Sequence, residues 1–134
     1  MTRYRVSEAA RLLGVSDDTV RRWVDSGALE PSTDAQGRVV VDGAALAAVA
    51  VERARQPDDP DAGSTSARNR FAGLVTRVTT DTVMAQVELQ CGPFRVVSLM
   101  SSEAVRELGL EVGSRAVAVV KATTVVVETS GGGR

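Results

Sequence analysis

Gln56-Pro57-Asp58-Asp59-Pro60-Asp61-Ala62-Gly63-Ser64-Thr65 divides this chain of 134 residues. Two prolines and three carboxylates stand there with almost nothing a core could bury. Such a composition cannot offset the entropy of ordering, so it predicts a flexible linker over 56–65. The segments on either side follow different hydrophobic periods. The expected organisation is α+β with two small domains, 1–55 and 66–128, and a disordered tail over 129–134.

Upstream of the linker the pattern is helical. Ser7 is a good N-cap after Val6, with Glu8 in the first turn. Ala9, Ala10, Leu12 and Leu13 form an apolar stripe that Gly14 ends. Ser16 caps a second helix with Asp17 and Asp18 in its electropositive first turn. Val20, Trp23 and Val24 fall at i, i+3 and i+4 and face inward. Gly27 and Pro31 stop that helix. Ser32 to Gly37 is turn-rich and Arg38 to Val41 is strand-like, which predicts a hairpin. Asp42 then caps a third helix over Ala44 to Arg55.

Downstream the pattern is strand-like. Phe71 to Thr79 starts the first strand. Val83, Ala85, Val87 and Leu89 alternate with polar residues in a second. Gln90-Cys91-Gly92-Pro93 is a turn and Phe94 to Met100 a third strand. Ser101 or Ser102 caps a short helix with Ala104, Val105 and Leu108 on its apolar face, ended by Gly109. Arg115 to Lys121 and Thr124 to Val127 are the last strands. Five strands and one helix in about 65 residues suggest a small OB-like β-barrel.

Composition removes several chemistries. The chain has no histidine and a single cysteine, Cys91. Triad hydrolysis, histidine-ligated metals, CxxC redox chemistry and internal disulfides all fall away. No general base or nucleophile constellation remains, so an enzyme is not expected. Four aromatic residues are too few for base-stacking platforms. No apolar run approaches the ~20 residues of a membrane span, and the amino terminus has no apolar signal-peptide core. A soluble, cytoplasmic protein follows. Net charge is −1; residues 1–55 carry eight arginines and eight acids. Lys121 is the only lysine among sixteen bases.

Two family resemblances sharpen the reading. Tyr4-Arg5-Val6-Ser7-Glu8-Ala9-Ala10-Arg11-Leu12-Leu13-Gly14-Val15-Ser16, then Thr19-Val20-Arg21-Arg22-Trp23, resembles the MerR/excisionase-type winged helix-turn-helix family. The resemblance implies binding to double-stranded DNA, with Thr19, Arg21 and Arg22 facing the major groove and Gln36 and Arg38 on a wing. Asp17 and Asp18 oppose phosphate at the tip of that helix, so a dimerisation or docking module is the competing reading.

Ser66-Ala67-Arg68-Asn69-Arg70, Gly73, Ser101-Ser102-Glu103-Ala104-Val105-Arg106-Glu107-Leu108-Gly109-Leu110, Gly113 and Val120-Lys121-Ala122-Thr123-Thr124-Val125 together resemble the molbindin, or TOBE, domain. That family binds molybdate or tungstate between subunits. The implied ligand set is Ser66, Ala67, Arg68, Lys121 and Ala122 on one side and Ser101 on the other. A tetrahedral dianion needs fixed positive charge and hydrogen-bond donors, which Arg68, Lys121 and the two serines supply, with no metal cation as a ligand. Ala104 stands where some members carry a further hydroxyl; Ser102 is the candidate substitute. A chain with one such domain must associate, as a hexamer or a dimer, to complete the pocket. The expected function is a molybdate-responsive transcriptional regulator. The alternative is a molybdate store whose helix-turn-helix serves docking or assembly; a transporter accessory subunit is a third.

Overall fold

The computed structural model describes residues 2–54, 63 and 65–129. The chain divides into two compact units, Met1–Arg55 and Gln56–Arg134. The linker expected over 56–65 lies outside the described residues except at Gly63 and Thr65, and the tail over 129–134 except at Thr129.

In the first unit, β1 (Arg3–Arg5), α1 (Val6–Leu13), α2 (Asp17–Asp25), β2 (Pro31–Thr33), β3 (Val39–Asp42) and α3 (Gly43–Arg53) follow in order. α1 starts earlier than the Ser7 cap predicts. Arg5 is the N-cap residue, because the Glu8 carboxylate accepts its backbone N–H at 3.0 Å. Gly14 closes α1 at φ +67, and the Val15 N–H reaches back to the Ala10 carbonyl at 3.0 Å. α2 begins as its sequence predicts, with Ser16 Oγ accepting the Thr19 N–H at 3.1 Å. Asp42 Oδ2 accepts the Ala45 N–H at 3.0 Å and so caps α3.

The hairpin is β2 paired with β3, and β1 adds to its other side in the order β1-β3-β2. The two-stranded hairpin expected from the sequence is thus part of a three-stranded sheet. β1 is three residues long and two of them are arginine, so no apolar alternation announces it. Val20 and Trp23 of α2 pack with Ala9, Ala10, Leu29, Val41, Leu46 and Val49 to form the core. The Arg53 guanidinium lies 5.9 Å above the Trp23 ring and ties α3 to α2.

The second unit holds β4 (Asn69–Thr80), β5 (Met84–Cys91), β6 (Phe94–Ser101), α4 (Ser102–Leu108), β7 (Arg115–Val120) and a 3₁₀ turn at Ala122–Thr124. Its strands form one antiparallel sheet in the order β6-β5-β4-β7. β4 pairs with β7 over its first half and with β5 over its second, and its register shifts between Val75 and Arg77. The bulge lets one long strand serve two partners and curls the sheet. Val75, Ala85, Val87, Leu89, Cys91 and Val105 form the core inside the curl.

The five-stranded barrel expected here therefore has four strands among the described residues. Thr124 to Val127 pairs with no described strand, and Val126 and Val127 are each 84% exposed. The Thr124 N–H and hydroxyl both donate to the Lys121 carbonyl, at 2.9 and 2.8 Å, and this turn takes the chain off the line of β7. Cys91 closes β5 rather than lying in a turn, and burial pushes its thiol pKa up. A β-carbon at Gly73 would fall on the Gln90 carbonyl oxygen and lie 2.8 Å from the Cys91 sulfur, so this close crossing of β4 and β5 needs glycine. Among the described residues no helix is long and apolar enough to cross a membrane.

Candidate functional site

The β4–β7 register builds one cluster. Asn69 pairs with Val120 and Arg70 with Val119. Arg68 immediately precedes β4 and Lys121 immediately follows β7, so the two flank the Asn69–Val120 pair. The Asn69 side-chain amide donates to the Val120 carbonyl at 3.1 Å and clamps the two segments across 51 residues of sequence. The sheet thus sets the segment that ends in Arg68 and the segment that begins at Lys121 at the same end of the β4–β7 pair. Ser66, Arg68, Lys121 and Ala122 are exposed, whereas Ala67 is buried.

The loop before β4 is held by its own atoms. Arg68 Nη1 donates to the Ser66 carbonyl at 2.8 Å and the Thr65 carbonyl at 3.5 Å. The Ala67 N–H donates to Thr65 Oγ1 at 3.3 Å. That donor is already used, so Ala67 serves here as the buried anchor of the loop. Thr65 and Asn69 shape the site, although the sequence pattern puts Thr65 in the linker and marks no role for Asn69. A threonine hydroxyl two residues before a buried alanine is a usable signal for the first. The Asn69 clamp is non-local and has none.

The electrostatics suit an anion. Neither Arg68 nor Lys121 forms an ion pair with a described carboxylate. Among the described residues there is also no cluster of histidine, cysteine or carboxylates that could hold a metal cation. Two fixed positive charges, the Ser66 hydroxyl and nearby backbone N–H groups fit a small dianion.

Ser101 is not part of this cluster. It ends β6 opposite Met84, while the adjacent Ala85 pairs with Thr80 at the far end of β4. β6 and β7 are opposite edges of the sheet. Along β4 the two ends are separated by about 36 Å of strand. Ser101 Oγ caps α4 by accepting the Ala104 N–H at 3.0 Å, which leaves its hydrogen free to donate outward. Ser102 is no substitute donor: it is buried and its hydroxyl donates to the Asp81 carbonyl at 2.8 Å.

The residues expected at DNA lie on the first unit. Arg21, Arg22, Gln36 and Arg38 are exposed and Thr19 is half-buried. Arg21 sits 3.2 Å from Asp18 and 4.0 Å from Asp17. Arg22 donates to Thr19 Oγ1 at 3.1 Å. Arg38 lies 2.9 Å from Asp34 and donates to Gln36 Oε1 at 3.3 Å. Backbone N–H groups from Arg38 and Gln36, together with the Arg38 side chain, hold the Asp34 carboxyl below its usual pKa. These five residues form two local networks, one on α2 and one at the β2–β3 turn.

Comparison with known proteins matches the two units separately. A helix-turn-helix domain matches residues 3–53 and a TOBE domain residues 65–127. The chain is 39% identical over 66 residues to the molybdenum transport protein ModE of Herbaspirillum seropedicae, covering 48% of this chain but 24% of that protein. It is 44% identical over 63 residues to a Haemophilus influenzae protein named "Probable molybdenum-pterin-binding protein", covering 46% of this chain and 91% of that one. The molybdate-bound crystal structure of the cytoplasmic molybdate-binding protein ModG shares 40% identity over 48% of this chain and 46% of its own, with a TM-score of 0.44. The chain belongs to the TOBE-domain family, with a helix-turn-helix domain joined ahead of its TOBE domain.

Proposed function

We propose that the protein is a cytoplasmic, molybdate-responsive DNA-binding regulator that holds molybdate or tungstate between the TOBE domains of neighbouring copies. The observation that carries this reading is that Arg68 and Lys121 flank the paired residues Asn69 and Val120 of β4 and β7, and neither is ion-paired with a described carboxylate. Lys121 and the outer face of the Arg68 guanidinium supply charge. The Ser66 hydroxyl and the N–H groups of Arg68 and Ala122 supply donors on the same side. Ser101 supplies its hydroxyl from a second copy, because one chain holds the two half-sites at opposite ends of its sheet. Selection against sulfate, which has the same charge and shape, falls to pocket size.

On the DNA side, Thr19, Arg21 and Arg22 of α2 enter the major groove and the hairpin carrying Gln36 and Arg38 acts as a wing. The ion regulates only by binding one arrangement of the assembly better than another. Relatives named for molybdenum support the ligand, and the helix-turn-helix match supports the DNA partner. A second reading, a molybdate store, is favoured by one observation: Arg21 and Arg38 are already paired with carboxylates. Affinity for the protein's own promoter fragment, measured with and without saturating molybdate, separates the two. The regulator reading expects about a fivefold change or more, the usual scale of coupling between sites. Unchanged affinity and assembly would leave the store.

A further inference from the structure

The turn between β2 and β3 is organised by one carboxylate. The Asp34 N–H donates to the Arg38 carbonyl at 2.9 Å and the Gly37 N–H to the Asp34 carbonyl at 3.0 Å, which closes the loop Ala35-Gln36-Gly37. Gly37 sits at φ +77, the left-handed position that such a hairpin loop requires. Asp34 Oδ1 accepts the N–H groups of Gln36 and Arg38, both at 2.9 Å. Asp34 Oδ2 accepts the Arg38 Nε–H at 2.9 Å. Arg38 Nη2 in turn donates to Gln36 Oε1 at 3.3 Å. The Asp34 side chain is 19% exposed, against 84% for Asp18 beside Arg21. Asp34 is therefore built into its turn, whereas Asp18 lies loosely over its helix.

The arrangement leaves donors unused at the tip. Asp34 and Gln36 Oε1 are engaged, whereas Arg38 Nη1 and Gln36 Nε2 have no partner among the described residues, and both side chains are exposed. A planar guanidinium held along one edge presents its other edge in a fixed direction. The charges of Asp34 and Arg38 cancel, so this tip offers phosphate little field but offers an acceptor oriented hydrogen bonds. We propose that Asp34 is a positioning residue of the DNA surface. It aims the outer edge of Arg38 and the Gln36 amide at hydrogen-bond acceptors of the duplex, so the wing contributes directed bonds rather than net charge. This rests on the DNA-binding reading above. It also separates Asp34 from Asp17 and Asp18, whose removal only frees charge.

The test titrates the full chain with its own promoter fragment at several salt concentrations. Asp34→Asn keeps an oxygen for the Gln36 and Arg38 N–H groups, loses the acceptor of Arg38 Nε and removes one negative charge. A carboxylate that only screened the wing would, once neutralised, leave DNA bound more tightly and the salt dependence steeper. The variant is expected instead to bind about tenfold more weakly, the scale of one charged hydrogen bond, with the melting of the first unit followed by Trp23 fluorescence unchanged. Arg38→Lys keeps the charge without the planar fork and is expected to lose as much. Arg38→Ala is expected to weaken binding with the salt dependence unmoved. In that background Asp34→Asn should cost nothing further, whereas a purely structural Asp34 would cost the same in either background. Tighter binding by Asp34→Asn, full binding by Arg38→Lys, or equal losses in both backgrounds overturns the proposal and leaves the DNA reading standing. A wild type that binds no promoter DNA at low salt overturns both.

Discussion

The basic residues at the two candidate surfaces are used in opposite ways. In the helix-turn-helix unit Arg5, Arg21 and Arg38 each lie beside a carboxylate of their own neighbourhood. In the TOBE unit Arg68 and Lys121 flank the paired ends of β4 and β7, and neither is ion-paired with a described carboxylate. Exposed pairs of the first kind add little stability, about 0–1 kcal/mol each, yet they cancel the field that phosphate would feel. A cluster of the second kind keeps its field for a ligand. Asp17 and Asp18 make the conflict concrete, for they favour the N-terminus of α2 while opposing a DNA backbone there. The proposed anion site is therefore free of competing ion pairs, whereas the proposed DNA surface must be freed of its own acids or multiplied by assembly.

The largest expected effect tests whether the anion site is split between copies. Ser101→Ala and Lys121→Ala should each abolish tight molybdate binding alone. Mixed subunits should regain up to about a quarter of the sites, the fraction in which random pairing joins an intact half from each. No recovery on mixing would place both halves in one chain. Next in size, Gly73→Ala should destabilise the TOBE unit by about 1–3 kcal/mol through the clash with β5. Urea unfolding followed by circular dichroism reads that loss, while Trp23 fluorescence, which reports on the first unit alone, should be unmoved.

A smaller effect sharpens the contrast in charge. Asp17→Asn with Asp18→Asn should strengthen DNA binding several-fold and steepen its salt dependence by about 0.9 for each additional phosphate neutralised. The helix should weaken by about 0.3–1 kcal/mol per lost charge. An unchanged salt slope would take Arg21 away from the DNA backbone. The smallest effect concerns Glu88, whose carboxyl the Arg95 guanidinium at 2.7 Å holds below the usual range. A depressed folded pKa stabilises above the unfolded value, about 4.3, and that contribution is lost as pH falls through the folded value. Arg95→Ala should therefore move the acid-unfolding midpoint of the second unit upward, as read by circular dichroism.

Local signals are legible in the sequence and long-range ones are not. The Ser16 and Asp42 caps, the Gly14 and Gly109 stops and the inward Ala85, Val87 and Leu89 all depend on neighbours within a few residues, and the structure places them as read; Val83, expected on the same face, precedes β5 and is 67% exposed. β1 could not be read, because Tyr4 becomes a strand residue only by pairing with Val41. Val125 to Val127 reads as a strand, but a strand exists only by pairing, and this segment pairs with no described strand. The proposed site residues come from family resemblance. Their juxtaposition does not, since it rests on a register that joins Asn69 to Val120.

The most direct measurement is a calorimetric titration of the full chain with molybdate in a large excess of sulfate, repeated on Lys121→Ala. Tight binding is expected of the wild type. The variant should lose about thirtyfold or more, the scale of one charged hydrogen bond of about 2 kcal/mol. A wild type that ignores molybdate, or a variant that binds it equally well, would contradict the assignment of this site.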